Sequence, residues 1–333
     1  MSVLRIAVSV LLLFLFLSSV HANELVPINI AVEFTDHAAS AYIAKQKGWF
    51  EKEGIKPTFF NYVTGMALAS ALGRGDIQVA YMCLLPAINA YANAKVPIKI
   101  VAGTHEHGYA LVVNPEKIKN IKDLERPDIT IGAVQVGGPV DAILRKTIEK
   151  FRLDDTKILK KVQRMNPPLQ IMAIRMGKLD ASFVPEHWPS LAEDAGFRVM
   201  LKSQDMWPNM QGSVLVVKEE LIKNHPEIVK KLIRITAKAT DWMKKNKKEA
   251  ADIMAEQMKI TGERIFPVEA AQVASKLEIT PKTMLRSMER LDYKMDIDHK
   301  KVEEAVAFAY SNGYIRTKIE AKDILDLRFL NER

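Results

Sequence analysis

Residues 108–118 read GYALVVNPEKI, and residues 212–222 read GSVLVVKEELI. The chain writes a glycine-led apolar strand followed by a polar helix start twice, too far apart for a solenoid repeat and without further copies. Such a repeat points to two equivalent places in one architecture. A second internal match agrees with it. GRGDIQVAY (73–81) aligns with RMGKLDASF (175–183), pairing Gly75 with Gly177, Ile77 with Leu179 and Tyr81 with Phe183. Each copy is a helix end, a glycine stop and a strand, so two similar lobes use the same step, and each LVV strand marks where the chain crosses between them.

Around these anchors the hydrophobic period alternates between strand and helix. PINIAVEF (27–34) puts Ile28, Ile30, Val32 and Phe34 on alternate positions, and DHAASAYIAKQKGWF (36–50) follows with helical spacing. IKPTFF with TGMALASALGRGD, and IQVAYMCLLPAINAYA with PIKIVAG, extend a first α/β set up to the first LVV strand. A second set runs through DITIGAVQVGGPVDAILRKTIEKF, LKKVQRM, PPLQIMAIRMGKLDASFV and FRVML to the second LVV strand. Beyond it the pattern turns helical, from NHPEIVKKLIRITAKATDWMKK onward, with an Asn-x-Pro start, and these helices are expected to pack back on the first lobe.

Composition narrows the class. The chain has 333 residues, 48% hydrophobic and 26% charged, enough for a large buried core and unlike a disordered chain. A basic start, the apolar run IAVSVLLLFLFLSSV (6–20) and small residues at Val20 and Ala22 predict a signal peptide over 1–22, cleaved after Ala22. No cysteine stands at that point, so a free periplasmic protein is expected rather than a lipid-anchored one, and no later stretch is apolar over the length a membrane span needs. The single cysteine, Cys83, sits in YMCLLPA and reads as a packed thiol. The net charge of +8 lies largely in lysine-rich helical faces without interleaved aromatics, so no nucleic-acid partner is expected.

The stretches AYIAKQKGWFEKEGIKPTF, ALGRGDIQVAYM, PAINAYANAKVPIKIVAG and GKLDASFVPEHWPSLAEDAGF stand in this order. In that combination the mature chain resembles, over essentially its whole length, the periplasmic solute-binding proteins of ABC importers in the nitrate, sulfonate and taurine group, related to the NMT1/THI5-like thiamine-precursor binders. The resemblance implies an α/β fold of the two-lobed periplasmic-binding-protein type (type II-like), with two hinge strands and a helical C-terminal region. It implies hinge closure on a small solute and an inner-membrane ABC permease as partner. The expected division is 27–110 with 213–333 as one lobe and 111–212 as the other, with Val112, Val113, Val216 and Val217 at the hinges, and the protein is expected to act as a monomer.

In open α/β sheets, ligands sit beyond the carboxyl ends of the strands, which selects four loops. FTDHAA offers Thr35, Asp36 and His37, with Asp36 either a ligand contact or the helix N-cap. YVTGMA offers Thr64, Gly65 and Met66 at a helix start whose free N–H groups suit an anion or a polar oxygen. VQVGGPVDA offers Gln135, Gly137 and Gly138 ahead of Pro139, or a plain loop-to-helix turn. VPEHWPS offers Glu186, His187 and Trp188, with the indole either a stacking platform for a flat ligand or packed in its own lobe.

His37, His105, His107 and His187 raise the question of metal, but their spacing matches no zinc signature, so no metal and no cofactor are expected. No catalytic signature appears. Walker A, GxSxG and GxGxxG motifs are absent, and no lysine in the four loops is placed for a Schiff base, as an enzyme of pyrimidine-precursor synthesis would need. The expected role is capture of a small organic solute for import, either a nitrogen heterocycle or a sulfonate. Presentation of the solute to a periplasmic sensor is the alternative. Glu33, Asp36 and Glu186, with no arginine in the four loops, favour a ligand rich in N–H donors.

Overall fold

The structure, a computed structural model, describes residues 25–265 and 278–332. The expected leader, 1–22, lies outside the described residues. The strands in chain order are β1 (Val26–Glu33), β2 (Ile55–Tyr62), β3 (Val79–Cys83), β4 (Ile98–His107), β5 (Tyr109–Val113), β6 (Ile131–Ala133), β7 (Val162–Arg164), β8 (Ala181–Pro185), β9 (Arg198–Lys202), β10 (Gln211–Lys218) and β11 (Leu291–Asp292). They form two sheets, ordered β11-β4-β10-β3-β1-β2 and β7-β6-β8-β5-β9.

This order explains why one strand is written twice. In the first sheet β10 runs antiparallel between β3 and β4, and in the second sheet β5 runs antiparallel between β8 and β9. The other main strands pair in parallel, β1 with β2 and β3, and β6 with β7 and β8. The two LVV strands therefore fill the same slot in two sheets of like topology, each inserted by a chain arriving from the other sheet. Both slots are central and covered on both faces, which calls for continuous apolar residues rather than alternation. Leu111, Val112 and Val113, like Leu215, Val216 and Val217, are fully buried.

The chain crosses between the sheets just before these strands, not within them. Val112, Val113, Val216 and Val217 are in strands hydrogen-bonded on both sides, where bending would break two ladders. The first crossing is at His107 (φ 65°) and Gly108 (φ 86°), left-handed backbone that no strand interior adopts. The return crossing, at 207–210, runs beside it, with His107 N–H donating to Met210 C=O at 3.3 Å.

Side-chain alternation divides the apolar residues into two cores, one on each face of the paired sheets. Ile28, Ile30, Val32, Val79, Tyr81, Leu215 and Val217 belong to one, while Ala31, Ala80, Met82, Val214 and Val216 belong to the other. The C-terminal helices partly follow expectation. Helix Pro226–Lys245 packs on helix Ala39–Gln46 beside the first sheet. Helix Pro281–Met288, however, packs on helix Trp188–Asp194 of the second half, and helix His299–Ser311 lies on helix Leu84–Ala92 while its Glu304 accepts from Trp207 Nε1 at 2.6 Å. The C-terminal region thus touches both halves. None of the helices among the described residues is long and apolar enough to cross a membrane.

Candidate functional site

The carboxyl ends of β1, β3, β6 and β8 face one another across the junction of the two sheets and enclose a cavity of ≈ 30 Å³. From the first half come Glu33, Thr35, Val63, Thr64, Gly65, Met66 and Cys83. From the second half come Tyr109, Val134, Gln135, Gly138, Pro139, Val140, Pro167 and Pro185. A space of this size holds a water or two, so the two walls stand nearer each other here than they would around an organic solute.

Local sequence sets the walls. Thr64 caps helix Gly65–Arg74, accepting from Ala67 N–H at 3.3 Å, and its Oγ1 also accepts from Gln135 Nε2 of the opposite wall at 3.4 Å. Gly65 is needed for closeness: a Cβ there would stand 2.8 Å from Pro86 Cγ and would collide with Glu33 Oε1. Gly138 precedes helix Pro139–Phe151, whose Pro139 occupies the first helical turn, and a Cβ on it would touch Met66 Cγ at 3.9 Å. Gly137 takes φ 86° to make the turn and does not line the cavity; a Cβ there would face Tyr314.

Below the walls lies a buried polar cluster. Glu33 Oε1 accepts from Cys83 N–H at 2.7 Å, and Oε2 accepts from Cys83 Sγ at 3.0 Å. The Tyr109 hydroxyl is 2.9 Å from the same sulfur, Ser213 Oγ 3.6 Å and His37 Nδ1 3.7 Å. His37 Nε2 lies 2.8 Å from Gly108 C=O, and since a carbonyl only accepts, the ring carries its proton on Nε2. Burial raises the Glu33 carboxyl above its ordinary value, against the hydrogen bonds from Cys83, and pushes the Cys83 thiol well up. Burial lowers His37 to about 4, so its ring is neutral.

The remaining predicted residues form a second buried group, behind the cavity. Thr35, not Asp36, caps the short turn Asp36–Ala38, accepting from His37 N–H at 3.2 Å. Asp36 is thereby left to accept from Ser287 Oγ at 2.5 Å, and the same hydroxyl is 3.1 Å from Glu186 Oε2. Burial, then the neighbouring Glu186, raises Asp36 to about 8; burial raises Glu186 to about 7, although Arg290, 3.3 Å away, opposes it. His187 is fully buried and held down to about 3 by burial. Trp188 is fully buried in the core, its ring 5.8 Å from Phe34 and 4.5 Å from His187. It does not line the cavity: of the two readings the structure has the packed one, with the helix it opens turning the indole into the apolar core.

The structure therefore brings Thr35, Thr64, Gly65, Met66, Gln135 and Gly138 to one cavity and sets Asp36, His37, Gly137, Glu186, His187 and Trp188 off it. Cys83 and Tyr109 were missed as lining residues, and so were Val63, Val134, Pro139, Val140, Pro167 and Pro185. Two signals could have found them. Cys83 ends β3, a carboxyl terminus the strand-end rule covers, and Pro167 opens a helix directly after β7. Among the described residues no lysine or arginine lines the cavity, and Glu33 is its one charged-type group.

Comparison with known proteins agrees with this fold. The model of the NMT1-like family matches residues 21–259. A protein of Brucella abortus named as a binding protein is 26% identical over 262 residues, spanning 74% of this chain and 76% of that one. A protein of Bacillus subtilis named as an aliphatic sulfonates-binding protein is 24% identical over 300 residues, spanning 87% and 83%. Among solved structures, the alkanesulfonate-binding protein of Xanthomonas axonopodis pv. citri bound to MOPS superposes with a TM-score of 0.73 at 16% identity, covering 91% of this chain and 99% of that one. At that identity the likeness is one of fold.

Proposed function

The chain belongs to the NMT1-like family, and from that premise we propose that it is the solute-capturing component of an ABC importer, working in the periplasm after removal of an N-terminal leader. One observation carries the reading: a cavity whose two walls come from different sheets and touch through Thr64 and Gln135. A solute that contacts both walls gains its full set of interactions only when the halves are closed, so binding drives closure. One lobe is built on the first sheet and the other on the second, and His107–Gly108 with 207–210 are the segments about which they turn.

The lining favours a small, largely apolar solute that presents an N–H to Glu33, with the hydroxyls of Thr35, Thr64 and Tyr109 and the amide of Gln135 fixing its orientation. A nitrogen heterocycle meets that description. A sulfonate is the second reading, because the helices starting at Gly65 and Pro139 open on the cavity and can offer the N–H groups of Gly65, Met66 and Val140 to an oxyanion. The test is mass spectrometry of the solute that copurifies, followed by calorimetry on Glu33→Gln and Gln135→Ala. An N–H donor should lose roughly tenfold or more in affinity with Glu33→Gln, the scale of one charge-assisted hydrogen bond, and the scattering radius should shrink on saturation. A sulfonate should bind Glu33→Gln at least as well as wild type. Affinity unchanged in both variants, with an unchanged radius, would place the solute elsewhere.

A further inference from the structure

We propose that Glu33, His37 and Cys83 form a binding site for one borderline divalent cation of the zinc type at the floor of the cavity, leaving its fourth coordination position facing the solute. The three side chains are buried, and one ligand atom from each lies within 4.8 Å of the others.

The two separations measured from the sulfur approach those of a tetrahedral ion. Bond lengths near 2.3 Å to sulfur and near 2.0 Å to nitrogen or oxygen set ligand atoms about 3.6 Å apart. Cys83 Sγ and His37 Nδ1 are 3.7 Å apart already, and Sγ and Glu33 Oε2, at 3.0 Å, need to part by about half an ångström. Orientation fits as well. A metal-bound imidazole donates its other N–H to a fixed acceptor, and His37 Nε2–H does so to Gly108 C=O, which leaves the Nδ1 lone pair toward the sulfur. Glu33 is steadied in the same way, because Oε1 is held by Cys83 N–H while Oε2 points to the cluster. The Tyr109 and Ser213 hydroxyls stand by the sulfur as outer hydrogen-bond donors.

Charge and access complete the case. A dication with one thiolate and one carboxylate is neutral overall, which resolves how two acidic groups can share a buried floor. Binding sends the Cys83 thiol proton to solvent and forms the metal–sulfur bond, with no change of oxidation state. Glu33 and Cys83 both line the cavity, so an ion reaches them by the same opening as the solute. The inference uses the cluster below the cavity and does not depend on which solute fills it.

Cobalt(II) is the probe. Protein stripped with a chelator and kept under a non-thiol reductant is titrated with cobalt, and the spectrum is followed. The chain has one cysteine, so a thiolate-to-cobalt charge-transfer band reports Cys83 alone. The expected result is a band that saturates at one equivalent with the visible spectrum of a tetrahedral ion and is abolished by zinc. Cys83→Ser should remove the band, and His37→Gln should weaken cobalt binding at least tenfold. If Cys83→Ser does not fold, the wild-type band and His37→Gln decide. Cobalt retained on dialysis without the band, or binding equal in His37→Gln and wild type, means an adventitious ion only and overturns the site. A copurified solute that binds the metal-free protein leaves the capture reading intact whichever way cobalt falls.

Discussion

Replacing Asp36 with Asn should flatten the fall of stability with pH above neutrality. In the folded protein Asp36 holds its proton up to about 8, against an ordinary value of 3.8, because its carboxyl is buried beside Glu186 with Ser287 between them. A carboxyl with a raised folded pKa binds its proton more tightly folded than unfolded. Its contribution is complete below the unfolded pKa and is lost as pH rises through the folded one. From a folded pKa of about 8, that contribution is about 2.0 kcal/mol at pH 6.5 and about 0.4 kcal/mol at pH 8. Wild type should therefore lose about 1.6 kcal/mol over this interval through Asp36, and somewhat less through Glu186, which titrates near 7. Asn has the shape of the protonated acid, can accept from Ser287 and cannot ionise. Urea unfolding of both proteins between pH 6.5 and 9 should give curves that diverge by about 1.6 kcal/mol by pH 8. The interval matters, because below pH 6.5 the buried His37, His105 and His187, all lowered by burial, make stability rise with pH and mask the effect. Parallel curves would show that Asp36 is ionised in the folded protein and that the burial argument fails.

Three further outcomes follow from the packing. Arg290→Met leaves Glu186 and Glu193 without their shared guanidinium, so stability should drop by about 3 kcal/mol at pH 8 and distinctly less at pH 5.5, where Glu186 is protonated, as read by urea unfolding at both pH values. Gly108→Ala must hold φ 86° with a Cβ 2.8 Å from His37 Nε2 and 3.1 Å from Leu291, and thermal melting should show a loss of about 1–3 kcal/mol. Trp188→Ala should cost about 3–5 kcal/mol by chemical denaturation, a core-truncation effect, and solute affinity measured on its folded fraction should match wild type.

The alternation of sheets and helices was legible because buried parallel strands and amphipathic helices leave different periods in the sequence. The LVV repeat was legible because two equivalent slots impose the same demand on composition. Its exact relation to the crossing was not, since a strand just after a turn and a strand that makes the turn read alike; the left-handed pair His107–Gly108 decides it. Of the site, Thr64 to Met66, Gln135 and Gly138 followed from the rule that loops after strands enter helices there. Glu33, a carboxylate at a strand end, reads as near the cleft, but Cys83 and Tyr109 lie in strands among apolar neighbours, where a side chain on a cavity floor and one in the core look the same. Asp36 reads in sequence as either a ligand contact or a cap, because its true partner, Ser287, stands far along the chain on the C-terminal helix Pro281–Met288.

The return crossing carries its own optical gauge. Trp207 stands where the chain comes back from the second sheet to the first, its indole N–H on Glu304 of helix His299–Ser311, its ring 5.1 Å from Phe308, and the Lys146 ammonium 5.4 Å above it. Glu304 and Phe308 belong to the C-terminal region and Lys146 to helix Pro139–Phe151 of the second half. Any swing of the halves changes the distance from the indole to a carboxylate or to an ammonium, both of which alter its emission. Of the other three tryptophans, Trp188 is sealed in the core, and Trp49 and Trp242 face each other 6.2 Å apart away from the crossing. Emission that shifts during opening is therefore dominated by one ring, and the motion can be timed in stopped flow with no label attached.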